Sequence, residues 1–529
     1  MRLNASTSQN LIGRRDIWPA PEDCLDGFEG FVPTGHHDNS PAFQRRVEQE
    51  QYLFDGCPGV ETPGYCQKSL RDERRTGQPR RLSCQSTRGG SVLIIVLWVA
   101  LGLISVALYF GNSMSLEMRA ADNRLATLQA QQAIAGATRY VAFVLSNSVD
   151  SGSAPDPLTY VSEAVPVGDS LFWLIGRATN IAQVKADTPV YGLIDEASKL
   201  NLNTATVDML SNLTRMTPQL AAAIIDWRDS DDTPTVNGAE SDIYSMRMPP
   251  YRAKNAKFET VEELRMVWGA DLDILYGEDS NLNGTLDLNE NDGDASPPSD
   301  NRDSRLDPGI LEYLTVYSRE SVLRTDGSGS NKVNVATAAG VQQLQAVLGQ
   351  RLGTDRGGQI ARLFTGPGRQ PATNMLQFYV RSQMTPDEFA QVEGDITFSD
   401  QPIDGLVNIN TAPQEVLACI PGIGPDNAAA VAGYRQNNSG SLQTVAWLTQ
   451  AIDQQSALRA APYITTHSFQ FTADIAAVGH NGRGYQRVKV VFDTADGTPQ
   501  IKYRQDLSRL GWALGRTTRT LLLSQRYTR

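Results

Sequence analysis

The chain has 529 residues, with 47 Lys and Arg against 59 Asp and Glu, a formal net charge of −12. Residues 1–88 hold 12 basic and 12 acidic residues, so the whole deficit falls on residues 89–529. A surface that acidic argues against nucleic acid as the main partner, because phosphate binding rests on Lys and Arg. The length allows two or three domains beyond a membrane helix.

Residues 1–88 are rich in Pro, Gly, Gln and charge, show no sustained periodicity, and read as disordered. The pair His36 and His37, beside Asp38, reads as solvated rather than ligating. Leu82, Ser83 and Cys84 look faintly like a lipobox, but no apolar run precedes them. From Ser91 to Phe110 there are 20 residues without a charge, enough to cross a bilayer core as a helix. Basic residues crowd the upstream side (Lys68, Arg71, Arg74, Arg75, Arg80, Arg81, Arg88), which by the positive-inside rule leaves the N-terminus in the cytoplasm and the rest outside. Four of the five cysteines (Cys24, Cys57, Cys66, Cys84) precede this run, so the exported part, with Cys419 alone, has no intramolecular disulfide. The helical pattern continues through Leu116, Leu125, Leu128, Ile134 and Val141. No A-x-A-like site follows the apolar core; the cleavable-looking feature is Gly90, just before it.

A basic leader ending in Gly, then an apolar helix running into an amphipathic one, resembles the signal of type IV pilins and pseudopilins. The resemblance implies that a prepilin peptidase of the inner membrane cuts after Gly90 and that Ser91 becomes the methylated first residue. Most of that family carry Glu at the fifth mature position; here it is Ile95. Within the family this absence is similar to the K-type minor pseudopilins of type II secretion. The leader is longer than the family's, so it is either a cytoplasmic extension or the product of a start set too far upstream. The resemblance further implies a single-pass inner-membrane protein with a periplasmic C-terminal ectodomain. Its implied partners are the I-type and J-type minor pseudopilins and the major pseudopilin.

After a Ser/Pro/Gly breaker at 151–157, residues 171–177 and 189–194 read as an antiparallel strand pair. The next piece recurs: residues 200–228 align without a gap onto 407–435. Asn201, Asn203, Thr204 and Ala205 match Asn408, Asn410, Thr411 and Ala412, and Trp227-Arg228 matches Tyr434-Arg435. Two copies of one supersecondary unit follow from this, with Val333, Asn334, Val335 and Thr337 as the trace of a third. In the second copy Pro421, Gly422, Ile423 and Gly424 lie between two helical segments and resemble a helix-hairpin-helix motif, whose backbone amides can hold a phosphate. The first copy has Thr214 to Thr217 in place of the glycines and no basic cluster surrounds the second, so the module is expected to pack helices, with no nucleic acid bound.

The region between the copies is the most acidic. Residues 226–232, 237–244, 251–255 and 261–264 look like the insert of the K-type pseudopilins. Asp279, Asn281, Asn283, Thr285, Asp287 and Glu290 fall at positions 1, 3, 5, 7, 9 and 12 of an EF-hand-like loop, with Gly284 at position 6. That spacing supplies the hard oxygens Ca2+ requires. Asp229, Asp231, Asp232 and Glu240 are a second candidate set without diagnostic spacing, suggested by the calcium binding of K-type ectodomains.

Residues 311–318 and 331–335 read as strands around a Gly/Ser turn, 340–400 as mixed and mostly helical, and 468–504 as a β-meander covered on one face. The tail after Leu510 is basic and reads as loose. The expected fold is α+β: a long N-terminal transmembrane and amphipathic helix packed on an antiparallel pseudopilin sheet, with a large inserted α-helical domain. In chain order this gives a leader to residue 90, a helix over 91–150, first strands over 160–195 and the inserted domain over 196–310. Mixed structure over 311–405, the hairpin repeat over 406–466, the meander over 467–510 and the tail over 511–529 follow. The implied role is a subunit capping the tip of a type II secretion pseudopilus. The alternative is a membrane-tethered DNA-binding protein of a competence or uptake system. A catalytic reading finds no support: no nucleophile motif occurs, and the exported histidines, His467 and His480, are far apart in sequence.

Overall fold

The computed structural model describes residues 90–148, 152–178, 187–365 and 372–525. The expected leader, with His36, His37, Asp38 and the lipobox-like residues, lies outside them. Helix α1 (Gly90–Ser146) runs 57 residues, about 85 Å at 1.5 Å per residue. Its first part is exposed and is long and apolar enough to cross a membrane. From Ala126 onward one face is buried, through Ala130, Ala133, Ile134, Ala137, Val141 and Leu145 at helical spacing. Small residues dominate that stripe, and they let a sheet approach closely.

The sheet has the order β1 (Val165–Val167), β2 (Ser170–Ile175), β12 (Gln470–Val478), β13 (Gln486–Asp493), β14 (Gln500–Asp506), all antiparallel, with β3 (Ile194–Asp195) on β12 beyond the end of β2. The expected pairing of 171–177 with 189–194 holds over a short antiparallel contact, the bridge between Ile175 and Tyr191 with bonds from Gly176 N–H to Val190 O and from Gly192 N–H to Leu174 O; β2 otherwise pairs with β12, and so does Ile194. Phe172, Leu174, Phe471, Ala473, Ile475, Ala477, Val488 and Val490 point to α1. The meander is not covered on one face only. All nine residues of β12 are buried, and Trp173, Ile175, Ala476 and Val478 of the other face pack on Ala513, Leu514 and Leu522. The tail is correspondingly not loose up to residue 525. It forms α8 (Gly515–Gln525), because Trp512, Ala513, Leu514 and Leu522 bury apolar surface that the basic composition concealed.

Between β3 and β12 the chain makes three successive units with a common frame. Each opens on a two-residue strand ending in Asn and closes on a parallel strand ending in Thr. These are β4 (Leu200–Asn201) with β5 (Leu314–Thr315), β7 (Val333–Asn334) with β8 (Ile396–Thr397), and β10 (Val407–Asn408) with β11 (Ile464–Thr465). In every unit the Asn carboxamide oxygen accepts from the backbone N–H two residues on, at 2.9, 3.0 and 2.9 Å. The Thr hydroxyl oxygen does the same at 3.1, 3.4 and 3.0 Å. These side-chain turns fix where each strand stops. Helices follow the opening strands: α2 (Val207–Ser211) and α3 (Pro218–Arg228), then α4 (Ala338–Leu352) and α5 (Thr354–Phe364), then α6 (Gln414–Ala418) and α7 (Gly424–Asn437). The trace of a third copy is therefore a full unit. Two short strands, β6 (Arg319–Glu320) and β9 (Ile403–Asp404), pair antiparallel between units. One buried cluster runs from Leu200 to Ile464, so the segments expected as 196–310, 311–405 and 406–466 share a core.

Candidate metal centre

The loop 279–290 begins after Gly277, whose φ of +58° ends the helix Leu272–Tyr276, and finishes in the turn Leu288–Glu290. The structure gathers the expected residues in a buried place: Asp279, Asn281, Asn283, Thr285 and Glu290 are all less than a tenth exposed. Asp279 accepts from the N–H groups of Asn283 (2.9 Å) and Gly284 (2.8 Å), a turn that needs the φ of +67° at Gly284. Asn281 and Asn283 donate their amide N–H to Asp287 at 2.7 and 3.1 Å. Glu290 folds back to accept from Ser280 N–H (3.1 Å) and Asp287 N–H (3.0 Å). Positions 9 and 12 therefore also form a capping box, a local role that the spacing alone does not separate from ligation.

Two buried oxygens of the loop, Asn281 Oδ1 and Thr285 Oγ1, have no hydrogen-bond partner. Burial, then the neighbouring charges of Asp279 and Asp287, pushes Glu290 up to about 8. Burial likewise raises Asp279 to about 6, against the pull of Arg177, and raises Asp287. A buried, oxygen-lined loop with unmatched acceptors and carboxylates that resist ionising fits a hard cation. From outside, the fully buried Arg487 donates to Asn281 O and Leu282 O, both at 2.6 Å, and pairs with Asp474 at 2.6 Å.

The second candidate set is rearranged. Asp226, Asp229 and Glu240 bring their oxygens within 4.8 Å of one another. Asp231 and Asp232 do not join them: Asp231 accepts from Thr233 N–H and Asp232 from Ser241 N–H. Neither oxygen of Glu240 nor Asp229 Oδ1 has a hydrogen-bond partner. Burial, then Asp226 and Asp229, pushes Glu240 up to about 7. Asp226 escaped the reading of the sequence because it belongs to α3; its i−3 spacing from Asp229 was the available signal.

The glycine turn is built for packing. Gly422 has φ +92°, and a Cβ there would meet Ser456 O at 2.4 Å. The N–H groups of Ile423 and Gly424 both donate to Ile420 O. Arg435 is buried and donates to Ile409 O and Ala412 O, and Arg228 donates to the equivalent Leu202 O and Ala205 O. Arg215, in the place of Gly422, adopts φ +63°, so the first copy makes a similar turn without glycine. Pro421 stands just ahead of Gly422 in this turn. Gly90 is the first residue of α1, and Ile95 lies on its exposed apolar part.

Residues 191–276 match the family model described as Type II secretion system (T2SS), protein K. Proteins named "Type II secretion system protein K" are similar over parts of the chain. That of Pectobacterium carotovorum subsp. carotovorum is 41% identical over 69 residues, 12% of this chain and 21% of that protein. That of Klebsiella pneumoniae is 43% identical over 53 residues, 10% of this chain and 16% of that protein. The match thus spans about a fifth or less of these two relatives. The Pseudomonas aeruginosa protein is 27% identical over 294 residues, 51% of this chain and 86% of that protein. Among solved structures, a chain of the GspK-GspI-GspJ complex from the enterotoxigenic Escherichia coli Type 2 Secretion System aligns with TM-score 0.32 and 14% identity, covering 74% of this chain and 99% of that one.

Proposed function

From a family match confined to residues 191–276, we propose that the whole chain is a K-type minor pseudopilin of type II secretion. The carrying observation is that this segment comes after a helix whose exposed first part is apolar and long enough to cross a membrane and whose later part packs on an antiparallel sheet. In this reading the peptidase cut falls after Gly90, Ser91 is methylated, and the ectodomain from α1 onward lies in the periplasm. The subunit joins I-type and J-type minor pseudopilins through its helix, above the major pseudopilin. Ile95 favours the tip: without a carboxylate at the fifth mature position it offers no partner to the N-terminal ammonium of a subunit stacked above, a charge costly to bury in lipid. N-terminal mass spectrometry of membrane-extracted protein should find a chain starting at methylated Ser91, and quantitative labelling should find one copy at a filament end. An uncut chain beside active peptidase, or copies along the shaft, would overturn the reading.

Calcium at the loop 279–290 is part of the same proposal, held by Asp279, Asn281, Asn283, Thr285, Asp287 and Glu290. A second ion would be held by Asp226, Asp229 and Glu240. The cation supplies charge neutralisation and cross-linking of the fold. The DNA-binding alternative is disfavoured by the Ile423 and Gly424 N–H groups already being used and by Arg435 being buried.

A further inference from the structure

EF-hand-like loops accept Asp or Asn at positions 3 and 5, since either offers a side-chain oxygen. This chain has Asn at both, Asn281 and Asn283. The difference between the two residue types is the amide N–H2, and here it faces acceptors that a carboxylate would repel. Asn281 Nδ2 donates to Trp512 O at 3.3 Å and Asn283 Nδ2 to Ala513 O at 3.5 Å, besides their bonds to Asp287. Two backbone carbonyls of the C-terminal segment therefore rest on the amides of the loop. The same segment is tied a second time. The Arg516 N–H donates to Asp187 Oδ1 at 2.5 Å, and Asp187 N–H donates to Leu286 O of the loop at 3.0 Å. The loop itself is also tied to the sheet, where Arg487 of β13 donates to Asn281 O and Leu282 O. Arg177, beyond β2, donates to Leu282 O at 2.8 Å. The loop belongs to the first unit but is held by the sheet and by the segment running into α8.

We propose that the loop 279–290 is a cation-dependent latch that docks the C-terminal segment 512–525 and, with it, the back of the sheet onto the first unit. The proposal rests on the calcium reading above. An ion in the loop holds Asn281 and Asn283 by their oxygens and so keeps their N–H2 groups turned outward to Trp512 O and Ala513 O. Without it the loop's unmatched acceptors and mutually repelling carboxylates favour rearrangement, and the carbonyls of 512 and 513 lose their donors. The segment then keeps its apolar contacts with the sheet and the Arg516–Asp187 bond, but loses its ties to the amides of the loop.

The test uses the full chain in nanodiscs and two readouts: calcium binding by titration calorimetry, and hydrogen exchange of residues 512–525 with calcium or with EGTA. Calcium should slow exchange across 512–525 severalfold. The double variant Asn281→Asp and Asn283→Asp keeps oxygens for the ion and removes the donors. It should bind calcium at least as tightly while exchange at 512–525 no longer responds. Because linkage is reciprocal, Leu522→Ser, which loosens α8, should weaken calcium binding by a factor in the usual range for coupled sites, about 5 to 150. Calcium bound with unchanged exchange at 512–525 would overturn the latch and leave the metal site standing. No calcium bound would overturn both.

Discussion

At the scale of single residues, the informative side chains are buried carboxylates that lack a full set of donors. Glu290 is pushed up to about 8 chiefly by burial. A cation that cancels its repulsion with Asp279 and Asp287 should stabilise the fold by about 2.7 kcal/mol at a hundredfold excess over its dissociation constant. EDTA should therefore lower the Tm, and Glu290→Gln should remove most of that response; a melting curve indifferent to EDTA counts against the site. Glu393 is buried away from both metal candidates and is raised to about 8, first by desolvation and then by Glu320, with one long hydrogen bond from Val445 N–H at 3.4 Å. Its folded-state value lies above the ordinary Glu value. Below that ordinary value both states hold the proton and nothing is lost. As pH rises toward 8 the unfolded chain ionises first, so stability falls through that window. Glu393→Gln keeps the shape and removes the charge, so its gain in Tm over the parent should grow from acidic pH to pH 8. A gain that is the same at all pH would contradict the assignment.

Among the elements, α1 and the turn after β12 approach each other closely. A Cβ on Gly479 would lie 2.2 Å from Ala126 O, and one on Gly484, whose φ is +66°, 2.4 Å from Ala126 C. Around this approach His480 joins Asp122 and Gln129, both at 2.6 Å, and Arg483 pairs with the same Asp122. Gly484→Ala must push the turn off the helix or strain its backbone, a cost of about 1–3 kcal/mol. The measurable outcome is a lower Tm with faster amide exchange in 126–134; an unchanged Tm would mean that the turn is free to shift. The glycines and Ala126 are visible in the sequence, but their apposition across more than 350 residues is not.

For the whole molecule, the question is how three repeated units and a six-stranded sheet act as one body. Asp195, at the end of β3, accepts from Asn408 (3.2 Å), Thr411 (2.5 Å) and Ser468 (2.5 Å), which ties the sheet to the third unit. Glu196 beside it accepts from Thr315 of the first unit (2.5 Å) and Thr472 of β12 (2.6 Å). Hydrogen bonds to a charged group contribute about 1.5–3 kcal/mol each. Asp195→Ala should therefore separate the melting of the sheet from that of the units, giving two calorimetric transitions in place of one. A single transition at the parent Tm would show that the remaining contacts, Glu196 and the apolar core among them, are enough to couple them.

The sequence by itself determined the features that are local or periodic. The uncharged run to Phe110, the spacing of 279–290, the ungapped repeat and the meander all carry their signal within a window that a helix, loop or strand spans. The tertiary structure decided what depends on distant partners. The closing strands Leu314–Thr315, Ile396–Thr397 and Ile464–Thr465 are two residues long, too short for any period, and exist because each pairs with an opening strand far back in the chain. The docking of α8 depends on a second sheet face that pattern alone left exposed. The choice of Asp226 over Asp231 and Asp232 depends on which carboxylates a helix end and a loop bring within reach of Glu240. A residue's chemistry is written in the chain, but the desolvation and neighbours that give it a role come only from the fold.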